Sequence, residues 1–320
     1  MNLVQAATTG IGSRTAFRLA RRLPRQAAYG LGELLFDRVA SQEALAFTHA
    51  LRSNLAIVLG LPEESPEVDR GVRRLLKHTC RSYVDLARAA GPGGCTIAQC
   101  CRLQPAITAA LDEAIATREG VVLVGAHMCS FDFLLIALSR RFPDVLALTK
   151  PSPSGSSKEM NRLRIELGLD LSPASAASLR EAVQRLLEGG IVAIAADVPV
   201  SETGELVFFG RASRLSDGFA RIALSAGARI MVGLSHRLGD GLYEGFGEFV
   251  PPPLATLGRQ ERARAWAQQC LVQLEALIRR WPDEWLMPEP VWGRGVPGAV
   301  AAPAEPPGVA GSTTRAVVRS

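Results

Sequence analysis

Residues 120–132, GVVLVGAHMCSFD, decide the fold class. The run at 121–124 is apolar at every position, which is typical of a strand buried on both faces of a sheet. A helix is predicted over about 130–142, so His127 stands at the carboxyl end of a strand, where α/β sheets bind ligands. Asp132 falls in the first turn of that helix, and the turn can bring its carboxylate back to the imidazole. The sequence therefore predicts a polar site at this strand end.

The rest of the chain repeats the same alternation. Further strands are predicted at VLALT (145–149), IVAIAAD (191–197), RIMVGLS (229–235) and YEGFGEFV (243–250). Helical patterns separate or follow them, among them a helix that Ser178 and Glu181 would open as a capping box and a long amphipathic helix over about 259–281. Strands alternating with helices predict an α/β fold with a mostly parallel central sheet flanked by helices.

Predicted secondary structure and composition divide the chain into three regions. Residues 1–115 are predicted to form a helical N-terminal annex, residues 116–292 the α/β domain, and the Pro/Ala/Gly-rich residues 293–320 a disordered tail. The first helix places Arg14, Arg18, Arg21 and Arg22 in one stripe and apolar residues opposite. Such a helix can lie flat in a membrane interface or pack its apolar face on its own protein, and the pattern leaves both open.

Composition narrows the functional classes. The 320 residues carry a net charge of +5, which suits an anionic membrane surface or a phosphorylated substrate and identifies neither. No run of eighteen apolar residues and no secretory signal is found, so a peripheral position on the cytoplasmic face of the membrane is expected. The six cysteines lack a paired CxxC spacing, so no metal site is predicted. No P-loop, G-x-G-x-x-G or G-x-S-x-G motif is present, and no nucleic-acid partner is expected.

The pair His127 and Asp132 has a plausible chemistry. An alcohol is a poor nucleophile until a base removes its proton, and a carboxylate on one ring nitrogen fixes the tautomer that leaves the other nitrogen basic. With such a base, an acceptor hydroxyl can attack a thioester directly. One histidine followed five residues later by an acid is a weak signal by itself, and a structural histidine is the alternative.

Several landmarks in chain order make the signal more specific. The segment HMCSFD resembles the H-x4-D/E motif of the lysophospholipid acyltransferase superfamily, and the later landmarks are similar to its branch of bacterial lipid A biosynthesis and phosphatidylinositol mannoside acyltransferases. The resemblance covers about residues 45–292. Its landmarks are LRSNLAIVLGL (51–61), TKP (149–151), RIELG (164–168), LLEGGIVAIAAD (186–197), LVFFGRAS (206–213), GFARIALSAGARI (218–230) and LEALIRRWPDEW (274–285).

The resemblance implies an O-acyltransferase and assigns roles to residues. His127 would be the general base and Asp132 its orienting partner, while Lys150 and Arg164 would hold phosphate or head-group oxygens of the acceptor. Four further residues would line the cleft: Asp197, Phe209, Gly210 and Arg211. The donor would be a thioester of coenzyme A or acyl carrier protein, with no other cofactor, and the acceptor a hydroxyl of a membrane glycolipid or a lipid A-like molecule.

The chain also departs from the family pattern. Met-Cys-Ser-Phe fills the motif where many relatives have a Gly-Asn-Trp-like stretch, Lys150 stands where arginine is commoner, and PDEWLMPEPVW lacks a basic ending. Two alternatives stay open for this reason. One is an acyltransferase acting on a lysophospholipid or glycerol phosphate, and the other is a family member that binds lipid without turnover.

Overall fold

The computed structural model describes residues 10–41, 46–91, 96–142, 144–153, 155–200 and 206–292. The predicted disordered tail, 293–320, lies outside these residues. Within them the chain forms helices α1 to α11: Gly10–Arg22, Arg25–Ala40, Ala46–Leu59, Pro66–Ala89, Ile97–Cys100, Pro105–Ala116, Phe131–Arg141, Gly155–Glu166, Ala176–Leu187, Gly218–Ala226 and Arg259–Arg280. The strands β1 to β9 are Cys101–Leu103, Val121–Gly125, Val145–Thr149, Asp170–Pro173, Ile191–Ala195, Val207–Phe208, Arg211–Ala212, Arg229–Gly239 and Leu242–Val250.

Seven strands form one sheet in the order β1-β9-β8-β2-β5-β3-β4. Every neighbouring pair is parallel except β8 and β9, which are antiparallel. The strand of the opening motif, β2, lies at the centre, with β5 on one side and β8 on the other. The predicted α/β fold with a mostly parallel sheet is confirmed.

Alternate residues of β2 enter two different cores. Val122 and Val124 pack with residues of α9, α10 and α11 on one face. Val121 and Leu123 pack on the other face with residues of α4, α6, α7 and α8. Because side chains alternate across a strand and both faces are covered by helices, the whole run must be apolar. This burial fixes the register of the central strands.

The N-terminal region is helical, as predicted, but it also contributes to the sheet. Cys101–Leu103 pairs in parallel with β9 and forms one edge strand, so the predicted annex shares the main core. A second detail differs from expectation. The helix α9 begins after Ser175, whose side chain and that of Ser178 cap each other's backbone N–H, so the capping box lies three residues before the predicted one.

The first helix is docked both by apolar contacts and by ion pairs: buried Ala20 and partly buried Phe17 pack against the core. Arg14 binds Glu159 at 2.8 Å and Arg21 binds Glu166 at 2.6 Å, both on α8. Ile11 remains 81% exposed and Leu19 42% exposed. In the described part of the chain, no helix combines the length and apolar character needed to cross a membrane.

Candidate active site

The register of β2 and β5 determines which side chains meet at the sheet edge. Gly125 of β2 lies opposite Ala195 of β5, and the backbone N–H of Ala196 donates to the carbonyl of Gly125 at 2.9 Å. Two residues beyond this pair, His127 and Asp197 leave the neighbouring strand ends side by side. Parallel pairing thus brings together two residues that are 70 positions apart in the chain.

Asp197 is bound to both the ring and the backbone of His127. The Nδ1 of His127 lies 2.8 Å from Asp197 Oδ1, and the backbone N–H of His127 donates to Oδ2 at 2.7 Å. A carboxylate only accepts, so Nδ1 carries the proton and Nε2 is left as the basic nitrogen. Asp197 is fully buried, while the His127 side chain is 33% exposed. The imidazole is therefore the member of the pair that a substrate can reach.

The two groups shift each other's pKa. Burial opposes the imidazolium, but the charge and the hydrogen bond of Asp197 outweigh it and raise the pKa of His127 above its ordinary value. Burial likewise opposes the Asp197 carboxylate. The charge of His127, its ring and backbone hydrogen bonds and a bond from Trp285 outweigh this effect and lower the pKa of Asp197. Asp197 therefore stays ionised, and His127 binds a proton more tightly than a free histidine.

The predicted contact between Asp132 and His127 must be corrected. Asp132, buried in the first turn of α7, pairs with Arg164 of α8: Nε lies 2.6 Å from Oδ1 and Nη2 lies 3.2 Å from Oδ2. The H-x4-D spacing does bring this carboxylate near the imidazole, since its charge contributes to the raised pKa of His127. The two-pronged guanidinium of Arg164 occupies both of its oxygens, and Asp197 binds the ring instead.

The aromatic ring of Phe131 contacts both the guanidinium of Arg164 and the imidazole of His127. The guanidinium carbon lies 4.9 Å from the centre of the Phe131 ring, and Phe131 meets His127 edge-on at 5.5 Å between ring centres. A third bond, from Nη1 to Asn161 at 2.7 Å, fixes the guanidinium. The structure thus places two predicted residues, Asp132 and Arg164, beside the dyad of His127 and Asp197.

The other predicted residues lie in two surrounding segments. Lys150 follows β3 and forms an ion pair with Glu289 at the surface. Phe209 and Gly210 form the turn between β6 and β7, both with positive φ (50° and 70°), and Arg211 begins β7. Phe209 is buried and stacks on Trp285 at 6.2 Å. A bulky residue in the left-handed region is strained and persists only where packing fixes it.

Trp285 is the site residue that sequence reasoning missed. Its indole Nε1 donates to Asp197 Oδ2 at 2.8 Å. The residues on either side of Trp285 also bind the backbone at and after His127. The N–H of Leu286 donates to His127 O, and the N–H of Cys129 donates to Glu284 O, both at 2.7 Å. The landmark RRWPDEW contained Trp285, but no spacing rule connects a residue 88 positions away to Asp197.

The chemistry that this arrangement supports is proton abstraction by a partly exposed imidazole that a buried carboxylate orients. The described residues contain no group of three or more His, Cys, Asp or Glu side chains that could hold a metal ion. The basic Nε2, the ionised carboxylate behind it and the guanidinium beside it suit the attack of a hydroxyl on an acyl group.

Two comparisons identify known proteins to which this chain is similar in sequence. The sequence model of bacterial lipid A biosynthesis acyltransferases matches residues 13–294. A phosphatidylinositol mannoside acyltransferase from Mycolicibacterium smegmatis is 24% identical over 292 residues, which cover 89% of this chain and 91% of that protein. The span matched by the family includes every site residue named above.

Proposed function

Because the chain belongs to the bacterial lipid A biosynthesis acyltransferase family, we propose that it transfers a fatty acyl group from an acyl thioester to a hydroxyl of a membrane glycolipid. The family inferred from the motifs is confirmed, and membership of it supports acyltransferase activity in lipid biosynthesis. The observation that carries the proposed mechanism is the bond between His127 Nδ1 and buried Asp197, which leaves Nε2 as the base.

The reaction needs no acyl-enzyme intermediate. Nε2 of His127 takes the proton of the acceptor hydroxyl while its oxygen attacks the thioester carbonyl, so a C–O bond forms and the carbonyl electron pair moves to oxygen. When this pair returns, the C–S bond breaks and the leaving sulfur receives the proton from the imidazolium. Asp197 stabilises the imidazolium between the two transfers. Coenzyme A and acyl carrier protein are both chemically suitable carriers of the thioester.

Arg164 supplies positive charge beside the base. Three of its five N–H groups bind Asp132 and Asn161, so two can bind a substrate oxygen. We assign these to a phosphate or head-group oxygen of the acceptor, or to the developing oxyanion. Lys150 and Arg211 would act on the acceptor head group from the surrounding segments. The acyltransferase named above carries phosphatidylinositol mannoside in its name, which supports a glycolipid acceptor here.

Peripheral membrane association is part of the proposal. Ile11 and Leu19 of α1 and Leu31 and Leu34 of α2 are large apolar residues that reach solvent, with Leu34 66% exposed. Exposed apolar side chains next to a cluster of arginines are typical of helices that lie in an anionic membrane interface. Such docking would bring a lipid acceptor to the site on the cytoplasmic face of the membrane.

The test is release of free thiol from palmitoyl-coenzyme A by purified protein in the presence of a membrane lipid extract. His127→Ala should lower turnover by on the order of 10²–10⁴. His49→Ala is the matched control, because His49 also lies beside a carboxylate, Glu63 at 3.5 Å, but is 60% exposed on α3. We expect the control to keep wild-type turnover.

The same assay separates the alternatives. A labelled product identified as a glycerolipid would replace the glycolipid acceptor by a lysophospholipid or glycerol phosphate. Absence of thiol release from both palmitoyl-coenzyme A and the palmitoyl carrier protein would favour a lipid-binding protein without turnover. Full activity of His127→Ala would refute the mechanism.

A further inference from the structure

Trp285 lies directly behind the dyad and out of reach of any substrate. Its side chain is 2% exposed, and Met128 and Trp285 form an antiparallel bridge beside His127. It packs within a group of four aromatic side chains, with Phe208, Phe209 and Trp292 at ring-centre distances of 6.1 to 6.3 Å. Trp285 can therefore influence the reaction only through the groups that it holds.

The group that it holds is the carboxylate of Asp197. Oδ2 accepts two hydrogen bonds, from the backbone of His127 and from the indole N–H of Trp285, while Oδ1 binds the imidazole. The indole bond therefore opposes rotation of the carboxylate about its Cβ–Cγ bond. Such rotation would carry Oδ1 away from Nδ1 and release the imidazole from its orientation.

A second tryptophan in the same cluster serves as an internal comparison. Trp292 is also buried, and its indole N–H donates to the backbone carbonyl of Phe208 at 2.9 Å. Both indoles contribute an aromatic ring and one buried hydrogen bond to the same core. Only that of Trp285 reaches a charged side chain that touches the base.

We propose that Trp285 is a positioning residue for acyl transfer, whose indole N–H locks Asp197 so that the carboxylate holds His127 in its reactive orientation. This inference rests on the proposed function, because it assumes that His127 is the base. The role is distinct from packing, since Trp285→Phe removes the donor together with part of the ring, whereas Trp292→Phe makes the same change of ring size in the same cluster without affecting Asp197.

Loss of the donor should have two effects. Hydrogen bonds to charged groups are among the stronger ones in proteins, so the less firmly held carboxylate should lower kcat by on the order of tenfold. A carboxylate with one donor fewer is also more basic and binds the imidazolium more strongly. The pKa of His127 should therefore rise, and the acid limb of the rate profile should move to higher pH.

The kinetic test compares Trp285→Phe with Trp292→Phe, using palmitoyl-coenzyme A or palmitoyl carrier protein, whichever the wild type turns over. We expect Trp285→Phe to lower kcat about tenfold, with little change in KM for the donor, and to shift the acid limb upward. Trp292→Phe should lose similar stability in urea, but its kcat and the acid limb of its pH–rate profile should be those of the wild type. Equal kinetic losses in both variants would reduce Trp285 to a packing residue and overturn the proposal.

A second test uses the wild-type protein, so it requires neither enzymatic turnover nor a variant that folds. We would follow the indole N–H signals of the four tryptophans and the ring protons of His127 by NMR during a pH titration. The signal of Trp285 should move with the same midpoint as His127, and that of Trp292 should not. A stationary Trp285 signal while His127 titrates would overturn the inference. If this coupling is seen but no donor is turned over, the proposed function fails while the link from Trp285 to His127 remains.

Discussion

Two carboxylates at one edge of the sheet bind different basic side chains. Asp197, at the end of β5, holds the imidazole of His127, whereas Asp132, in the first turn of α7, holds the guanidinium of Arg164. Both are buried and both are bound closely. An imidazole can lose its proton near neutral pH, but a guanidinium cannot. Only the first pair can therefore move a proton, and the second can only place a fixed charge.

The H-x4-D spacing of this chain does not identify the acid that orients the histidine. The carboxylate nearest to His127 in sequence goes to an arginine from another helix. The carboxylate 70 residues away goes to the imidazole, because β2 and β5 pair with Gly125 opposite Ala195. Sheet register, more than local spacing, decides which acid orients the base.

The largest expected effect is at Asp197. In Asp197→Asn the amide can turn its NH₂ group toward Nδ1, which favours the wrong tautomer of His127 and leaves no charge to stabilise the imidazolium. We expect turnover to fall by on the order of 10²–10⁴ with the fold retained. Thiol release and the urea unfolding midpoint measure the two quantities. A loss smaller than that of Asp132→Asn would reverse the roles assigned to the two acids.

A smaller effect is expected at Asp132. Asp132→Asn leaves the guanidinium of Arg164 partly buried and without its carboxylate, so we expect its position to loosen. Turnover should fall by roughly 10- to 100-fold, the equivalent of one hydrogen bond to a charged group. The variant should also unfold at lower urea concentration than the wild type. Unchanged activity would show that Arg164 does not act on the substrate.

The pH dependence of kcat/KM separates the pairs again. Because the pKa of His127 is raised by Asp197, the base is protonated and inactive until the pH exceeds the ordinary histidine value of about 6.5. The rate should therefore rise with pH through a midpoint above that value. In Asp197→Asn the ring titration, followed by NMR, should move to lower pH, and in Asp132→Asn it should move less. A midpoint at or below the ordinary value in the wild type would contradict the dyad.

Much of the fold was predictable from sequence. The strands at 121–125, 145–149 and 191–195 are short apolar runs, and burial on both faces leaves few other conformations for them. The helix that begins at Phe131 follows from its position after such a strand. The edge strand Cys101–Leu103 was missed because three residues carry no detectable period, and its pairing with β9 depends on tertiary contacts.

Most members of the site were predictable from the sequence, but the way in which they pair was not. His127 and Arg164 could be named from the strand end and from the family resemblance, and Asp197 was named only as a cleft residue. Its bond to His127 depends on the register between two strands, which one sequence does not reveal. Trp285 could not be assigned a role, because an indole behind a carboxylate leaves no mark in composition or spacing.

A third buried acid, Glu284, can be compared with Asp197 and Asp132. Of the three, its replacement is expected to change turnover least. Burial raises the pKa of Glu284 to about 7 despite a backbone hydrogen bond from Arg237, whereas the pKa of Asp197 is lowered by its bonded histidine. A raised pKa means that the folded protein binds this proton more tightly than the unfolded chain. The resulting stability is present below the unfolded value of about 4.5 and is lost as the pH rises through 7.

Glu284→Gln should remove this dependence, because a neutral amide does not titrate. Relative to the wild type, the free energy of unfolding of the variant should increase by at most about 3 kcal/mol between pH 4.5 and pH 8. Urea unfolding at these two pH values measures the difference, and the titration of His127 is common to both proteins and cancels. Parallel stability curves would mean that Glu284 finds a partner as effective as the one that Asp197 has in His127. The contrast between a carboxylate paired with a titratable ring and one buried without it would then no longer hold.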